Sequence, residues 1–444
     1  MTLPARALVI GFQRTGRALA RALAARGVAV RVVDAKDAAA LGVDGAPLAG
    51  VEPLLGDDRA PARLDGVDLV VPSPGVPRAH VLLVEAARRG IPIASEIEVA
   101  ARLGRAALIA ITGTNGKSTT TSLVGRALEL SGRRTFTGGN LGRPLIDAVD
   151  TDADVWVAEV SSFQLEWVTS FRPAVACLLN VTPDHLDRHA SFAEYRDAKA
   201  RIFAAQTSAD AAVVNRDDPV AAAIGAGLPA RRLSFGQDRV AAGAFLDGGD
   251  AIVRLDGRED RVTLARTRLA GRHNAENVMA AALVARLAGA PASAVQEAVD
   301  TLAPLPHRLA FVAERSGVRW FDDSKATNVG ATVKSLQSFA GPVVLLAGGV
   351  DKGGDYAPLV AAARDKTRLV LVFGQARERI AAALRAGGVP VCEADDLSQA
   401  VRMAAGAAVP GDTVLLAPAC SSFDMFADYG ARGRAFERAV EELG

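Results

Sequence analysis

The stretch "ALIAITGTNGKSTTTS", Ala107 to Ser122, is an apolar run followed by a loop with two glycines and a hydroxyl-rich segment. It predicts a strand, a loop and a helix, the context in which backbone N–H groups bind phosphate. The spacing is unusual, because Ile111 stands where the common phosphate loop has its first glycine. A solvated Gly/Ser/Thr turn is the alternative. The candidate phosphate-binding residues are Gly113, Thr114, Asn115, Gly116, Lys117, Ser118 and Thr119.

Composition places this loop in a multi-domain globular protein. The chain has 444 residues, of which 50% are hydrophobic, enough for two or three domains. Lys and Arg number 51 against 50 Asp and Glu, a balance that does not favour a nucleic-acid or anionic-membrane partner. The 3 cysteines form no C-x-x-C pair, and no apolar window is long enough to span a membrane. We expect a cytoplasmic protein without membrane insertion.

The pattern is α/β throughout, because short β-branched runs alternate with Ala-rich helical stretches. We predict three domains: a Rossmann-like domain over 1–95, a central phosphate-loop domain with a mostly parallel sheet over 96–304, and a Rossmann-like domain over 305–444. After "AVACLLNVT" the central domain is expected to be rich in helix.

The first block contains a partial dinucleotide-binding fingerprint. "IGFQRTG" has Gly11 and Gly16 at the outer positions, but Gln13 replaces the middle glycine. Thr15 lies at the start of the following helix and Asp34 at the end of the second strand, where such folds contact a ribose or a base. The pattern fits either a nucleotide site or a Rossmann-like unit without a ligand.

Three side chains of the central block suggest catalysis. Glu159 ends an apolar strand, where a carboxylate can bind Mg²⁺ or form a salt bridge. His185 follows in a loop. Lys199 shares the apolar face of a helix that starts at the capping-box pair of "SFAE". Its ammonium either snorkels to solvent or turns into the active site, where desolvation would favour a neutral, reactive amine.

Polar loops follow the strands of the last block. "WFDDSKATNVGAT", "LLAGGVDKGGDY" and "APACSSFDMFADYGARG" each place hydroxyl, lysine or tyrosine side chains after a buried strand. These loops are predicted to share a face that binds a small polar molecule. In the central block, Asn277 near the start of a long helix either caps it or contacts an adenine.

Taken together and in order, these motifs resemble the ATP-dependent Mur ligases, most closely the members that add D-glutamate to UDP-N-acetylmuramoyl-L-alanine. The resemblance covers essentially the whole chain. It rests on "TGTNGKST", "EVSSFQLE", "NVTPDHLDRH", "GRHNAEN", "LPHR", "DDSKATN", "GGVDK" and "PACSSFD". The D-x-N-P-R and H-H-P-x-E signatures of other members are absent. Gln13 departs from the glycine that relatives often have there.

The resemblance implies a reaction. ATP phosphorylates the terminal carboxylate of UDP-N-acetylmuramoyl-L-alanine, and D-glutamate displaces phosphate from the acyl phosphate. It also implies two Mg²⁺ sites, one at Ser118 and Glu159 and the other at His185 and a Lys199 that carries CO₂ as a carbamate. An anionic carbamate would be stabilised by the metal, which an ammonium would oppose. The expected partners are small molecules, and the expected form is a monomer.

The resemblance assigns the remaining residues by group. Catalytic roles fall to Lys117, His185, Lys199 and Lys325. Beside the phosphate loop, ATP is contacted by Asn277, Arg308 and Asp323. The UDP substrate is contacted by Thr15, Asp34, Lys36, Gly75, Asn140 and Gln164. D-glutamate is contacted by Thr327, Lys352, Ser422 and Tyr429.

Two other functions fit parts of the chain. A folylpolyglutamate-type ligase shares the ATP loop and the helix lysine, but it lacks a uridine-binding first block like "IGFQRTG…VVD". A non-catalytic nucleotide-binding regulator would have no use for Lys199 or the "DDSKATN" loop. Closure of the third domain onto the second is a further expectation.

Overall fold

The computed structural model describes residues 3–42, 48–269, 271–304 and 306–443. These residues form two compact units, each described by itself. Unit 1 comprises Met1–Val181, Arg196–Arg266 and Glu276–Thr301, and unit 2 comprises Thr182–Tyr195, Thr267–Ala275 and Leu302–Gly444. The domain limits predicted at 95 and 304 stay predictions, and Leu305, the first residue of the predicted third domain, lies outside the described residues.

The first sheet of unit 1 is parallel, with the strand order β3-β2-β1-β4. Four residues of β1 are buried in succession, as expected for a parallel strand covered on both faces. The elements are β1 (Arg6–Ile10), α1 (Arg14–Ala24), β2 (Ala29–Asp34), β3 (Val51–Leu55), a 3₁₀ turn (Pro61–Leu64), β4 (Leu69–Pro72), α2 (Val81–Arg88) and α3 (Glu96–Leu103).

The second sheet of unit 1 has nine strands in the order β13-β12-β11-β10-β9-β8-β5-β7-β6. Every neighbouring pair from β6 to β11 is parallel. Its strands are β5 (Ala107–Thr112), β6 (Thr135–Gly139), β7 (Val155–Glu159), β8 (Val175–Leu178), β9 (Ala211–Asn215), β10 (Arg231–Gly236), β11 (Gly243–Asp247), β12 (Asp250–Leu255) and β13 (Arg258–Val262).

The helices of this stretch cover the sheet or lead out of it. The first residues of α6 and of α8 belong to unit 2. The helices are α4 (Lys117–Leu130), a 3₁₀ turn (Leu145–Asp150), α5 (Ser162–Leu165), α6 (Phe192–Ala200), a 3₁₀ turn (Arg201–Phe203), α7 (Pro219–Gly225), α8 (Arg272–Leu287) and α9 (Ala292–Thr301).

The prediction of a helix-rich segment after β8 is wrong for its middle part. There β11, β12 and β13 form an antiparallel meander at the sheet edge. Gly248 and Gly249 connect the first pair, and Asp256 and Gly257 the second, all four with positive φ. Two-residue turns with positive φ at both positions match the twist of antiparallel strands, so these turns start hairpins rather than helices.

Unit 2 contains a six-stranded sheet in the order β14-β15-β19-β16-β17-β18, parallel except for the β14·β15 pair. One face packs around Leu336, Leu359 and Ile380, and the other around Trp320 and Phe436. The elements are β14 (Ala310–Arg315), β15 (Val318–Asp322), α10 (Val329–Gln337), β16 (Val343–Gly348), α11 (Ala357–Lys366), β17 (Thr367–Phe373), α12 (Arg377–Ala386), β18 (Val391–Glu393), α13 (Leu397–Ala407), β19 (Thr413–Leu416) and α14 (Tyr429–Glu441).

The three sheets, mostly parallel and flanked by helices, confirm the predicted α/β fold class. Within the described part of the chain, no helix combines the length and the apolar character that crossing a membrane requires.

Candidate active site

The phosphate loop connects β5 to α4 in unit 1, as predicted. Gly116 precedes the helix with φ of 85°, and a Cβ atom on it would lie 2.1 Å from Oδ1 of Asn277. Only glycine therefore fits this position. The side chain of Asn180 holds the loop, since its Oδ1 accepts a hydrogen bond from the Asn115 N–H at 2.8 Å. The Asn180 carbonyl accepts another from the Thr114 N–H.

Two lysines converge on one carbonyl of this loop. Nζ of Lys117 donates to the carbonyl oxygens of Gly113 and Thr114, both at 2.8 Å. Nζ of Lys199 donates to the same Gly113 oxygen at 2.9 Å. Lys199 is only 2% exposed, so its ammonium does not snorkel to solvent and the active-site alternative is favoured. Two cations that share one neutral acceptor repel each other, and a polyphosphate anion would relieve that repulsion. The loop thus fits the phosphates of ATP.

Oxygen ligands suited to Mg²⁺ lie beside this loop. Glu159 is 2% exposed at the end of β7, and its strand partner is Ile111, two residues before Gly113. Ser118 lies in the first turn of α4. A carboxylate and a hydroxyl are hard oxygen ligands of the kind that Mg²⁺ selects. One oxygen of Glu159 also accepts a hydrogen bond from Nδ2 of Asn140 at 2.6 Å.

A cavity of about 620 Å³ opens at the carboxyl edge of the first sheet. Of the six residues predicted to contact the UDP substrate, five line this cavity and Lys36 does not. The five are Thr15, Asp34, Gly75, Asn140 and Gln164.

The outer glycines of the first-block fingerprint are required by close packing. A Cβ atom on Gly16 would lie 1.9 Å from the carbonyl oxygen of Gly11, and one on Gly11 would lie 2.8 Å from Oγ of Ser73. Gln13, in contrast, is exposed and lines the cavity. Asp34 accepts hydrogen bonds from the backbone of Phe12 at 2.7 Å and of Lys36 at 2.9 Å, which orients its carboxylate.

Unit 2 brings together two residues of the predicted D-glutamate group, Thr327 and Lys352. Nζ of Lys352 lies 3.4 Å from Oγ1 of Thr327 and 3.3 Å from a carboxylate oxygen of Asp184. The other oxygen of Asp184 accepts a hydrogen bond from Nδ2 of Asn328 at 2.9 Å. Asp184 was missed in the sequence, although an acidic residue directly before His185 in "TPDHLD" is a natural partner for a loop lysine.

A second cluster in unit 2 surrounds the loop after β15. Nζ of Lys325 lies 3.8 Å above the ring of Tyr429, a cation–π distance. Burial raises the pKa of Asp323 to about 6, opposed by a hydrogen bond from Ser335 and by the charge of Arg308. Ser422 is buried within the loop that connects β19 to α14.

His185 and His307 both adopt left-handed backbone conformations, with φ of 55° and 60°. The backbone N–H of His185 donates to Asp184 at 2.9 Å. Because His185 belongs to unit 2 and Lys199 to unit 1, their predicted pairing at a metal stays a prediction. Nδ1 of His307 lies 2.6 Å from Oδ2 of Asp322, a pair that sequence spacing did not reveal.

Family models match three segments of the chain. A Mur ligase MurD-like N-terminal domain matches residues 5–95, a Mur ligase middle domain matches 111–285, and a Mur ligase glutamate ligase domain matches 307–420.

Similar proteins cover nearly the full chain. The UDP-N-acetylmuramoylalanine–D-glutamate ligase of Geobacter metallireducens is 47% identical over 98% of this chain and 97% of its own length. The enzyme of the same name from Syntrophotalea carbinolica is 46% identical over the same shares.

Solved structures show the same fold at low identity. A pseudomurein peptide ligase type C from Methanothermus fervidus has a TM-score of 0.64 at 18% identity, covering 99% of this chain and 100% of its own. The UDP-N-acetylmuramate-alanine ligase MurC of Thermotoga maritima has a TM-score of 0.61 at 17% identity, covering 100% of both chains. The resemblance predicted from the motifs is confirmed, and the chain belongs to the Mur ligase family.

Proposed function

We propose that this protein adds D-glutamate to UDP-N-acetylmuramoyl-L-alanine at the expense of ATP, in the synthesis of peptidoglycan precursors. The observation that carries the proposal is the position of Asn140, which lines the 620 Å³ cavity and donates to Glu159 at 2.6 Å. This cavity therefore lies next to the carboxylate beside the phosphate loop, which supports its assignment to the nucleotide-linked substrate. The near full-length similarity to enzymes of this name supports the same substrates.

The chemistry requires an anion to attack another anion. The substrate carboxylate attacks the terminal phosphorus of ATP, ADP leaves, and an acyl phosphate forms. The amine of D-glutamate then attacks the acyl carbon and loses a proton, and phosphate leaves with the oxygen that came from the carboxylate. Lys117 binds the phosphates and offsets their charge, and Ser118 and Glu159 hold the metal. Mg²⁺, which Mur ligases use with ATP, supplies further neutralisation of the phosphate oxygens when bound.

A second Mg²⁺ site with a carbamate on Lys199 is part of this proposal. Its support is the burial of Lys199 next to the phosphate loop, where a second ammonium already shares the Gly113 carbonyl. A carbamate would replace this repulsion between like charges with a metal-binding anion. His185 is the other proposed ligand.

The remaining roles are also proposals. Thr15, Asp34, Gly75, Asn140 and Gln164 contact the UDP substrate, and support comes from their shared cavity. Lys36 is kept from the family resemblance alone. Asn277, Arg308 and Asp323 are proposed for ATP, and Lys325 for the transferred phosphate. For D-glutamate the proposed residues are Thr327, Lys352, Ser422 and Tyr429.

Lys352 is the natural cation for one carboxylate of D-glutamate. In the structure this lysine is paired with Asp184 at 3.3 Å, which holds its side chain near Thr327. The protein is further proposed to act as a cytoplasmic monomer on small molecules, without nucleic acid and without membrane insertion.

Phosphate release separates this function from its alternatives. The proposal predicts ATP-dependent phosphate release only when both UDP-N-acetylmuramoyl-L-alanine and D-glutamate are present. Release with a folate and L-glutamate instead would support a folylpolyglutamate-type ligase. Nucleotide binding without any release would support a non-catalytic regulator.

A further inference from the structure

Arg432 is a completely buried arginine on α14 whose guanidinium connects three separate loops. Its Nε donates to Oγ of Ser324 at 2.9 Å and its Nη2 donates to the Ser324 carbonyl at 2.8 Å. Its Nη1 donates to the carbonyl oxygens of Cys420 at 3.1 Å, Ser421 at 3.2 Å and Gly348 at 3.4 Å. Arg432 itself is 0% exposed.

These loops follow the three central strands of the unit 2 sheet, β15, β19 and β16. Each loop also carries a residue of the proposed D-glutamate group, namely Thr327, Ser422 and Lys352. The loops pack closely at Arg432, since a Cβ atom on Gly349 would lie 2.1 Å from the Ser421 carbonyl and 3.1 Å from Nη1. One side chain therefore links all three loops, in addition to the backbone hydrogen bonds between Val350 and Ser421 and between Ala419 and Ala326.

The acceptors of Arg432 are all uncharged. Among the residues that the structure describes, none forms an ion pair with Arg432. The negative charges of Asp322 and Asp424 still act to raise the pKa of its guanidinium. These two carboxylates have other partners, His307 for Asp322 and the backbone of Gln375 for Asp424. Burial lowers the pKa of Arg432 to about 10, so the guanidinium stays charged at neutral pH. A buried charge without a counter-ion is costly to the fold.

We infer that Arg432 is a positioning residue for D-glutamate, and that its unpaired charge favours an amino acid with two carboxylates. The guanidinium holds the loops that carry Thr327, Lys352 and Ser422 in one arrangement before D-glutamate binds. The inference rests on the proposed function and adds to it a residue behind the binding surface. A fork of fixed donors suits this task, because a lysine ammonium cannot reach three loops in the same geometry.

The test compares Arg432→Lys and Arg432→Gln with the wild-type enzyme in D-glutamate-dependent phosphate release. Arg432→Lys keeps the charge but leaves buried carbonyls without donors, so KM for D-glutamate is expected to rise about tenfold. The KM values for ATP and the UDP substrate should change less than about twofold. Arg432→Gln should also lower the preference for D-glutamate over D-glutamine, measured as the ratio of kcat/KM.

Arg368→Lys is the matched control. Arg368, near the start of β17, is bonded to Asp412 directly before β19. This pair lies at the amino ends of the strands, away from the loops that Arg432 contacts, so the replacement of Arg368 should leave all three KM values unchanged. A second variant, Ser324→Ala, keeps Arg432 but removes the Oγ that accepts from Arg432 and donates to the Tyr429 carbonyl, and it should raise KM for D-glutamate alone, by a smaller factor. Ser324→Ala also gives an answer if the Arg432 variants do not fold.

Two results would overturn the inference. One is an unchanged KM for D-glutamate in folded Arg432→Lys or in Ser324→Ala. The other is a parallel rise of all three KM values, which would indicate a general structural role. If the wild-type enzyme itself did not use D-glutamate, the proposed function would fail instead, so the two failures are distinguishable.

Discussion

Among single residues, the burial of Lys199 indicates that its ammonium belongs to the active site rather than to the surface. The sequence places Lys199 on an apolar helix face, but it does not say where the ammonium goes. The structure places Nζ 2.9 Å from the Gly113 carbonyl, which Lys117 also uses. Asp184 and Arg432 were not singled out, because several of their partners, such as Lys352 and Ser324, lie far along the chain and only the folded structure brings them together.

Lys199→Ala is expected to be nearly inactive, because it removes the amine that would carry the proposed carbamate. Short carboxylic acids should partly restore activity by supplying the missing anion. Independently of activity, wild-type protein in ¹³C-bicarbonate should show a carbamate NMR signal that the variant lacks. Lys366→Ala is the control, since Lys366 also donates to a backbone carbonyl, that of Phe339. Wild-type rates in Lys199→Ala would rule out the metal role.

Arg14 is expected to compensate for Gln13 at the diphosphate. Arg14 is exposed and is the first residue of α1. It gives the cavity a positive charge, whereas Asp34 and Asp58 in the same lining are carboxylates that would repel a diphosphate. Arg14→Gln should raise KM for the UDP substrate about tenfold, less at high salt, with KM for ATP unchanged. Arg21→Gln, at an exposed position of the same helix, is the control. Equal effects of the two substitutions would contradict this role.

Glu96 makes stability depend on pH. It is 1% exposed, its Oε1 accepts a hydrogen bond from the Ile146 N–H at 2.6 Å, and burial raises its pKa from 4.5 to about 7. The folded state therefore holds this proton more tightly than the unfolded state does. Its contribution to stability is complete below about pH 4.5 and is lost as the pH rises through about 7.

We compare the free energy of unfolding in urea at pH 5 and at pH 8. From pH 5 to pH 8 the wild-type value should fall by about 2 kcal/mol more than the value for Glu96→Gln, which has no proton to release. The exposed Glu129→Gln is the control and should show little difference between the two pH values. A wild-type-to-Glu96→Gln difference that is the same at both pH values would show that Glu96 does not titrate in this range.

At the scale of elements, the strands with glycine or polar residues after them were predictable. β5 and β7 in unit 1, and β16 and β17 in unit 2, are short apolar runs. Parallel pairing brings the carboxyl ends of each pair to one edge of its own sheet. The meander β11–β13 was not predicted, although "DGGD" and "DGRE" are hairpin signals between alternating residues. Helix was predicted after β8 because these two hairpin signals were overlooked.

Substitution of Gly249 tests whether the β11–β12 hairpin depends on the positive φ of its turn. Its φ is 90° and a Cβ atom would meet nothing within 4 Å, so only the backbone conformation opposes substitution. Gly249→Ala should lower the free energy of unfolding by about 1 kcal/mol. Gly227→Ala is matched, since that glycine also has open space but no positive φ. Equal destabilisation by the two variants would argue against a turn-specific cost.

At the scale of the whole molecule, each unit carries one half of the proposed chemistry. Unit 1 holds the phosphate loop, Lys199, Glu159 and the cavity proposed for the UDP substrate, and unit 2 holds the loops proposed for D-glutamate. The motifs, with their order and spacing, predicted the family, and the resemblance implied its reaction. Positions within each unit, such as the Asn140–Glu159 contact, needed the structure, because they depend on strand pairing between distant segments.

In the proposed reaction the substrate carboxylate is phosphorylated before the amine attacks. The direct measurement uses UDP-N-acetylmuramoyl-L-alanine labelled with ¹⁸O in its terminal carboxylate, together with ATP and D-glutamate. Because the attacking carboxylate oxygen leaves with phosphate, each phosphate released should carry one ¹⁸O, as read by mass spectrometry. Phosphate without ¹⁸O, released while the amide product accumulates, would contradict an acyl-phosphate intermediate.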